Sequence, residues 1–178
     1  MGLRVKVVEA LRKTHRTRRR LEAYLYKAKA KERELMEKLV EAQKNGDELR
    51  AKVYASEVAK LRKFVESIAA LDVKLEHTEL KLQSVLMLGD AGAALKPVVN
   101  EIKALAAPVR RLLPEIEEEM NDLIETVDEL AEEELVGGAY VDVFLDHEAE
   151  KILKEAQLIA QKRLEESLAV ASEEGSKA

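Results

Sequence analysis

Apolar residues recur at helical spacing along most of the chain. Leu21, Leu25, Ala28, Leu35, Leu39 and Ala42 fall on one helical face, with Glu32 in the remaining slot of that seam. The run then meets Lys44-Asn45-Gly46-Asp47, where Asn45 and Gly46 tolerate left-handed backbone angles and Asp47 suits an N-cap. Beyond it Tyr54, Val58, Leu61, Val65, Ile68, Leu75, Leu82 and Leu86 continue the three-four pattern, with Asp72 and Glu79 as polar slots. No proline and no second glycine interrupts residues 3–88. The pattern predicts two helices, about 2–43 and 47–88, each roughly 60 Å long at 1.5 Å per residue, folded into an antiparallel hairpin. Folding about Asn45–Gly46 pairs residues whose numbers sum to about 92. Glu32 is then expected near Lys60, and Asp72 near Arg20.

After Leu88 the elements shorten. Val98, Ile102, Leu105, Val109 and Leu112 predict a helix with a kink at Pro108. Pro114 suits the first turn of the next one, which carries Ile116, Met120, Leu123, Val127 and Leu130 along one side. A final amphipathic helix displays Ile152, Leu153, Ala156, Ile159, Leu164 and Leu168. The expected organisation is all-α: a basic hairpin over 1–88, hinge and acidic helices over 89–136, a linker over 137–147, a helix over 148–170 and a loose tail over 171–178. Gly89, Gly92, Gly137 and Gly138 are the candidate hinge positions.

Charge divides this plan in two. Residues 1–63 carry 19 Lys/Arg against 9 Asp/Glu, a net of +10, and residues 64–178 carry 11 against 26, a net of −15. The basic half peaks between Arg12 and Arg33, with ten cations and two acids. The acidic half peaks between Glu115 and Glu150, with 15 acids and no Lys or Arg. Charged residues make up 37% of the chain and aromatics 3%, which favours long charged helices over a compact globule.

Catalytic signatures are missing. The chain has no cysteine, hence no thiol nucleophile, disulfide or thiolate metal site. It holds no glycine-rich phosphate loop. None of His15, His77 and His147 has a Glu three residues before it, so the carboxylate-bridged di-iron pattern is absent. Asp142, Asp146, His147 and Glu150 share one stretch but read as a solvated linker rather than a metal site. A non-enzymatic protein without cofactor, metal or small-molecule substrate is expected. No apolar run reaches the roughly 18–20 residues of a spanning helix, and the N-terminus lacks a secretory pattern, so a soluble cytoplasmic protein is expected.

The basic stretch carries the chemistry that remains. Lys6, Lys13, Arg20 and Lys27 are seven apart and fall near one helical line, with Arg12, Arg16 and Arg19 beside it. The seam weakens here, because Thr14 and Arg18 occupy its core slots. Directly ahead Leu3, Val7, Ala10 and Leu11 form an apolar strip, with Val5 and Val8 near it and Arg4 beside it. An apolar wedge followed by a cation row is the arrangement of interfacial helices on anionic lipid. Nucleic acid is the alternative ligand, but the aromatics of a stacking platform are limited here to Tyr24 and Tyr26. The acidic block, represented by Glu115, Glu118 and Asp122, is a candidate partner for the basic face, in the same chain or in a neighbouring copy. Contacts between unlike surfaces of successive copies build filaments if they do not close.

The stretches LEAYLYKAKAKERELMEKLVEAQKNGDELRAKVYASEVAKLRKFVESI and AALKPVVNEIKALAAPVRRLLPEIEEEMNDLIETVDEL resemble the ESCRT-III-like B proteins of the archaeal Cdv cell-division system, over most of residues 15–165. The resemblance implies a short-form subunit that polymerises with itself and with paralogues on the cytosolic face of the cell membrane, at the division site, and constricts or severs it. It implies that residues 3–11 insert into lipid and that Arg12 to Lys31 face it. It further implies that Ala91 to Leu95 straighten as a joint, and that residues 148–168, with Ile152 and Ile159, contact a neighbouring hairpin or cap their own. An AAA+ ATPase is an implied partner. Its usual docking motifs are not matched, since no proline follows Pro114 and Arg163-Leu164 with Leu168 is one residue out of step. That contact is therefore expected beyond residue 178. Bacterial phage-shock membrane-maintenance proteins share the hairpin logic and are a weaker resemblance.

Overall fold

A computed structural model describes residues 2–88, 95–132 and 142–176. The chain divides into two units, residues 1–137 and 138–178. The first contains α1 (Leu3–Lys44), α2 (Glu48–Leu88), α3 (Leu95–Leu112), a 3-10 turn at Pro114–Ile116 and α4 (Glu117–Glu132). The second contains α5 (Asp142–Ser176).

The α1–α2 turn is closed by local chemistry. Gly46 adopts φ +68°, the left-handed region that costs other residues most. The Asp47 N–H donates to the Ala42 carbonyl at 2.9 Å and the Gly46 N–H to Gln43 at 3.2 Å. This is the paired Schellman closure of a helix C-terminus. Asp47 Oδ1 then accepts the Arg50 N–H at 3.1 Å and caps α2.

Along the hairpin, Val7, Ala10, Thr14, Thr17, Leu21, Ala28, Leu35 and Ala42 of α1 are buried against Ala51, Val58, Ile68, Leu71, Leu75, Thr78, Leu82 and Val85 of α2. Heptad spacing keeps the seam on one face of each rod. The three threonines fit because each hydroxyl bonds a carbonyl one turn back, Thr14 to Ala10, Thr17 to Lys13 and Thr78 to Lys74.

α3 and α4 pack beside the end of the hairpin opposite the turn. α2 contacts α3, α3 contacts α4, and α4 returns to α1, so the four helices close a ring. Val99, Ile102, Val109, Leu113, Ile116, Met120, Leu123, Val127 and Leu130 complete a core with Val7, Ala10, Leu21, Ile68, Leu71, Leu75, Leu82 and Val85. The turn end of the hairpin projects beyond this core as a two-helix rod. α3 runs through Pro108, which is exposed, to Leu112.

α5 is longer than the expected span of 148–170. It spans Asp142–Ser176, a stretch without proline, and runs through Gly175. Ile152, Leu153, Leu158, Ile159, Leu164, Leu168 and Val170 are exposed along it. The hinge candidates Gly89, Gly92, Gly137 and Gly138 lie outside the described residues, as does most of the joint Ala91–Leu95.

Candidate functional site

The first half of α1 sorts its cations onto three sides, one toward α2, one toward α4 and one open. Toward α2 points Arg18, the residue that the sequence places in a core slot. Its Nε donates to Asp72 Oδ1 at 3.0 Å and its Nη1 to Glu79 Oε2 at 2.7 Å, with Glu22 at 3.5 Å and Glu76 at 3.7 Å from Nη2. The side chains of Arg18, Asp72 and Glu79 are 16%, 16% and 12% exposed. Desolvation works against the charged guanidinium, but the two carboxylates outweigh it and raise the Arg18 pKa. The other Glu79 oxygen, Oε1, faces His15 Nδ1 at 3.5 Å.

This cluster corrects the expected ion pairs while keeping the register. Asp72 meets Arg18, not Arg20, and Glu32 meets Arg62 at 2.8 Å, not Lys60. The observed pairs sum to 90 and 94, bracketing 92. Lys60 instead pairs with Glu57 one turn away.

Toward α4 point Lys13, Arg20 and Tyr24. Lys13 Nζ reaches Asp122 Oδ1 at 3.0 Å and Thr126 Oγ1 at 2.8 Å, and also pairs with Glu9 at 3.4 Å. Arg20 Nη1 donates to Glu119 Oε1 at 2.6 Å, and Tyr24 donates its hydroxyl to Glu115. Desolvation lowers the Lys13 pKa, but hydrogen bonding to Asp122 reverses this and leaves it raised. Arg20 is raised by its bond to Glu119, and Tyr24 by its bond to Glu115. The acidic helix thus neutralises part of the basic helix within one chain. Glu118, the third acid singled out in the sequence, is exposed.

The third side is open. Val5 is 53% exposed, Val8 39% and Tyr26 74%, and Arg12, Arg16, Arg19, Ala23 and Lys27 are exposed between and beside them. Steps of three and four residues put Val5, Val8, Arg12, Arg16, Arg19 and Ala23 on one line, and the row from Val5 to Lys27 is about 33 Å long at 1.5 Å per residue. Among the described residues Arg4, Arg12, Arg16, Arg19 and Lys27 have no ion-pair or hydrogen-bond partner, whereas Lys6 is engaged. The only acids between Leu3 and Lys31 are Glu9 and Glu22, engaged by Lys13 and Arg18. The open row is therefore a purely positive strip with an apolar start.

The apolar start differs from the one expected. Val7 and Ala10 are fully buried in the bundle core and Leu11 packs against it, so the strip with those residues faces inward. The Leu3 side chain lies outside the described residues. Val5 and Val8 are the outward pair. Likewise Lys13 and Arg20 leave the expected lipid-facing line for α4, and Arg12, Arg16 and Arg19 form the row themselves. Ile152 and Ile159 lie on α5, exposed. Arg18 and the Tyr24–Glu115 pair were not assigned from sequence. The polar slots Arg18, Asp72 and Glu79 in otherwise apolar seams were the available signal.

Among the described residues no group of three or more His, Asp or Glu is placed to share a metal ion. The side chains of Asp142 and Asp146 lie outside the description. No helix among the described residues is long and apolar enough to cross a membrane.

A long hairpin closed by two shorter helices, with an exposed cationic row on its first helix, defines an all-α helical-hairpin protein. Its relatives narrow this. Cell division protein B1 of Sulfolobus acidocaldarius is 31% identical over 166 residues, covering 92% of this chain and 78% of that protein. Cell division protein B of the same organism is 29% identical over 151 residues, 84% of this chain and 58% of that protein. Cell division protein B3 is 29% identical over 122 residues, 67% and 70%. No protein-family profile and no solved structure matches the chain. The chain belongs to the archaeal cell division protein B family.

Proposed function

We propose that this protein acts in archaeal cell division as a non-catalytic, ESCRT-III-like subunit that binds the anionic cytosolic face of the cell membrane and polymerises there. The names of its relatives support the division role. The observation that carries the membrane reading is the open row of α1: Arg12, Arg16 and Arg19 unpaired, no free acid among them, and Val5 and Val8 exposed ahead of them. Each cation close to anionic lipid contributes about 1 kcal/mol, and the exposed valines add a shallow apolar contact.

Assembly would proceed through copies of this chain and paralogous subunits. The exposed Glu118 on α4, and Ile152 and Ile159 on α5, supply unlike surfaces for a head-to-side contact. Glu115 and Asp122 join it only if their bonds to Tyr24 and Lys13 are given up. In this scheme the work is mechanical. Lipid contact and lateral packing supply the energy that bends or severs the membrane, and an AAA+ ATPase remodels the polymer.

Co-sedimentation with anionic vesicles, neutral vesicles and duplex DNA in parallel tests the reading. The protein is expected to pellet with anionic vesicles only. Arg12→Glu with Arg16→Glu and Arg19→Glu should weaken this by more than about a hundredfold, from roughly 1 kcal/mol per cation lost. Tight DNA binding without vesicle binding would make the row a nucleic-acid surface. Negative-stain electron microscopy of the vesicle-bound protein tests polymerisation.

A further inference from the structure

α1 carries two separate sets of cations, and only one is occupied. Lys13 and Arg20, with the Tyr24 hydroxyl, are held by Asp122, Glu119 and Glu115 of the 114–132 segment. Arg12, Arg16, Arg19 and Lys27 are free. The two sets alternate along the helix, and the free set lies about a quarter turn round from the occupied one. No residue of α4 bonds the free set, so packing α4 onto α1 leaves the row untouched.

From this juxtaposition we propose that the surface for anionic lipid is complete while α4 is packed on α1. Docking on a membrane then precedes any release of α4 instead of requiring it. This rests on the membrane reading above. A row that lay beneath α4 would tie docking to opening. A row on the adjoining side, about a quarter turn round α1 from Lys13 and Arg20, makes docking available to the closed chain and keeps those two in reserve.

Three observations support the order. The free row is continuous over about 22 residues, roughly 33 Å, which exceeds a contact that one or two stray cations could make. Its acids are already consumed: Glu9 pairs with Lys13, and Glu22 with Arg18. Its apolar head, Val5 and Val8, is exposed in the same packed state in which Val7 and Ala10 are buried. Release of α4 would uncover Lys13 and Arg20 next to lipid already in place, so opening tightens a bond that docking has made.

The chain has no cysteine, so introduced thiols are its only ones. Lys13→Cys with Asp122→Cys replaces two side chains whose ends meet at 3.0 Å, and a short bismaleimide spans the gap that the shorter cysteines leave and locks α1 to α4. Arg20→Cys with Glu119→Cys is a second, independent lock at a contact of 2.6 Å. Neither pair includes a residue of the free row. The readout is flotation with vesicles of equimolar phosphatidylglycerol and phosphatidylcholine, before and after cross-linking, for the full chain.

Locked and unlocked forms are expected to bind within about threefold of each other, and adding the Arg12→Glu, Arg16→Glu and Arg19→Glu changes to a locked form should remove binding. Loss of binding by more than about tenfold in both locked forms, with the unlocked forms binding normally, overturns the proposal and leaves the membrane reading standing. Persistent binding of the locked form after the three reversals overturns it as well, since the row would not be the surface. Absence of binding by the wild-type chain means that the membrane reading has failed, and the proposal with it.

Discussion

Arg18→Ala isolates the polar cluster in the hairpin seam. The substitution removes the one guanidinium that holds both Asp72 and Glu79, whose side chains are only 16% and 12% exposed. Two largely buried carboxylates on one helix are then left without their cation. Breaking a buried pair in this way costs about 3–5 kcal/mol. The residual exposure, and His15 beside Glu79 Oε1, place the estimate at the low end, about 3 kcal/mol. For a unit of this size that is a fall of about 10 °C in the midpoint of thermal unfolding, followed by far-ultraviolet circular dichroism. A repair variant sharpens the test. Arg18→Met with Asp72→Leu and Glu79→Met removes all three charges and should recover to within about 1 kcal/mol of wild type, since a packed apolar cluster commonly replaces a buried ion pair without loss. A shift below about 1 kcal/mol for Arg18→Ala, or a triple variant no more stable than Arg18→Ala, would refute the claim that Arg18 neutralises these acids in the folded chain.

Other expectations follow from single contacts. Val7→Asp, which puts a charge at a fully buried core position, should destabilise the four-helix region by several kcal/mol. Val5→Asp and Val8→Asp, at exposed positions, should leave the unfolding midpoint within about 0.5 kcal/mol of wild type yet lower vesicle binding. Gly46→Ala, at φ +68°, should cost about 1–2 kcal/mol in urea unfolding. Spectrophotometric titration should find Tyr24 ionising above its usual range, because the Glu115 carboxylate accepts a hydrogen bond from its hydroxyl, and Glu115→Gln should bring it down. The folded-state pKa is raised, so this contact's contribution is present below about pH 10 and is lost as pH rises through the folded value.

The hairpin was legible because its determinants are local. An Asn-Gly-Asp turn, unbroken heptads on either side and the absence of other breakers define two rods and their register. The ion pairs were displaced by a couple of residues. Counting pairs by the sum of residue numbers assigns partners level with one another, whereas an arginine in a seam slot reaches along the partner helix and satisfies Asp72 and Glu79 together. The sidedness of the cations was not legible. A repeat of seven marks Lys6, Lys13, Arg20 and Lys27 as one line, but only the packing of α4 decides that Lys13 and Arg20 meet acids, while Arg12, Arg16 and Arg19 stay open. The same packing turns Val7 inward and leaves Val5 and Val8 outside. The acidic block was identified as a partner for the basic face, and its place beside α1 of the same chain came from the tertiary fold. Asp146, expected to cap the last helix, lies inside α5, which begins at Asp142.

The account depends on one side of α1 meeting anionic lipid, and single-cysteine spin-label scanning measures that side directly. Labels placed in turn from position 4 to position 27 report shielding from an aqueous relaxation agent, with and without phosphatidylglycerol vesicles. Shielding should rise with helical periodicity, greatest at positions 5, 8, 12, 16, 19 and 23 and least at positions facing α4 or α2. Shielding that is flat along α1, or that peaks on labels in α2 such as position 66 or 76, would contradict it.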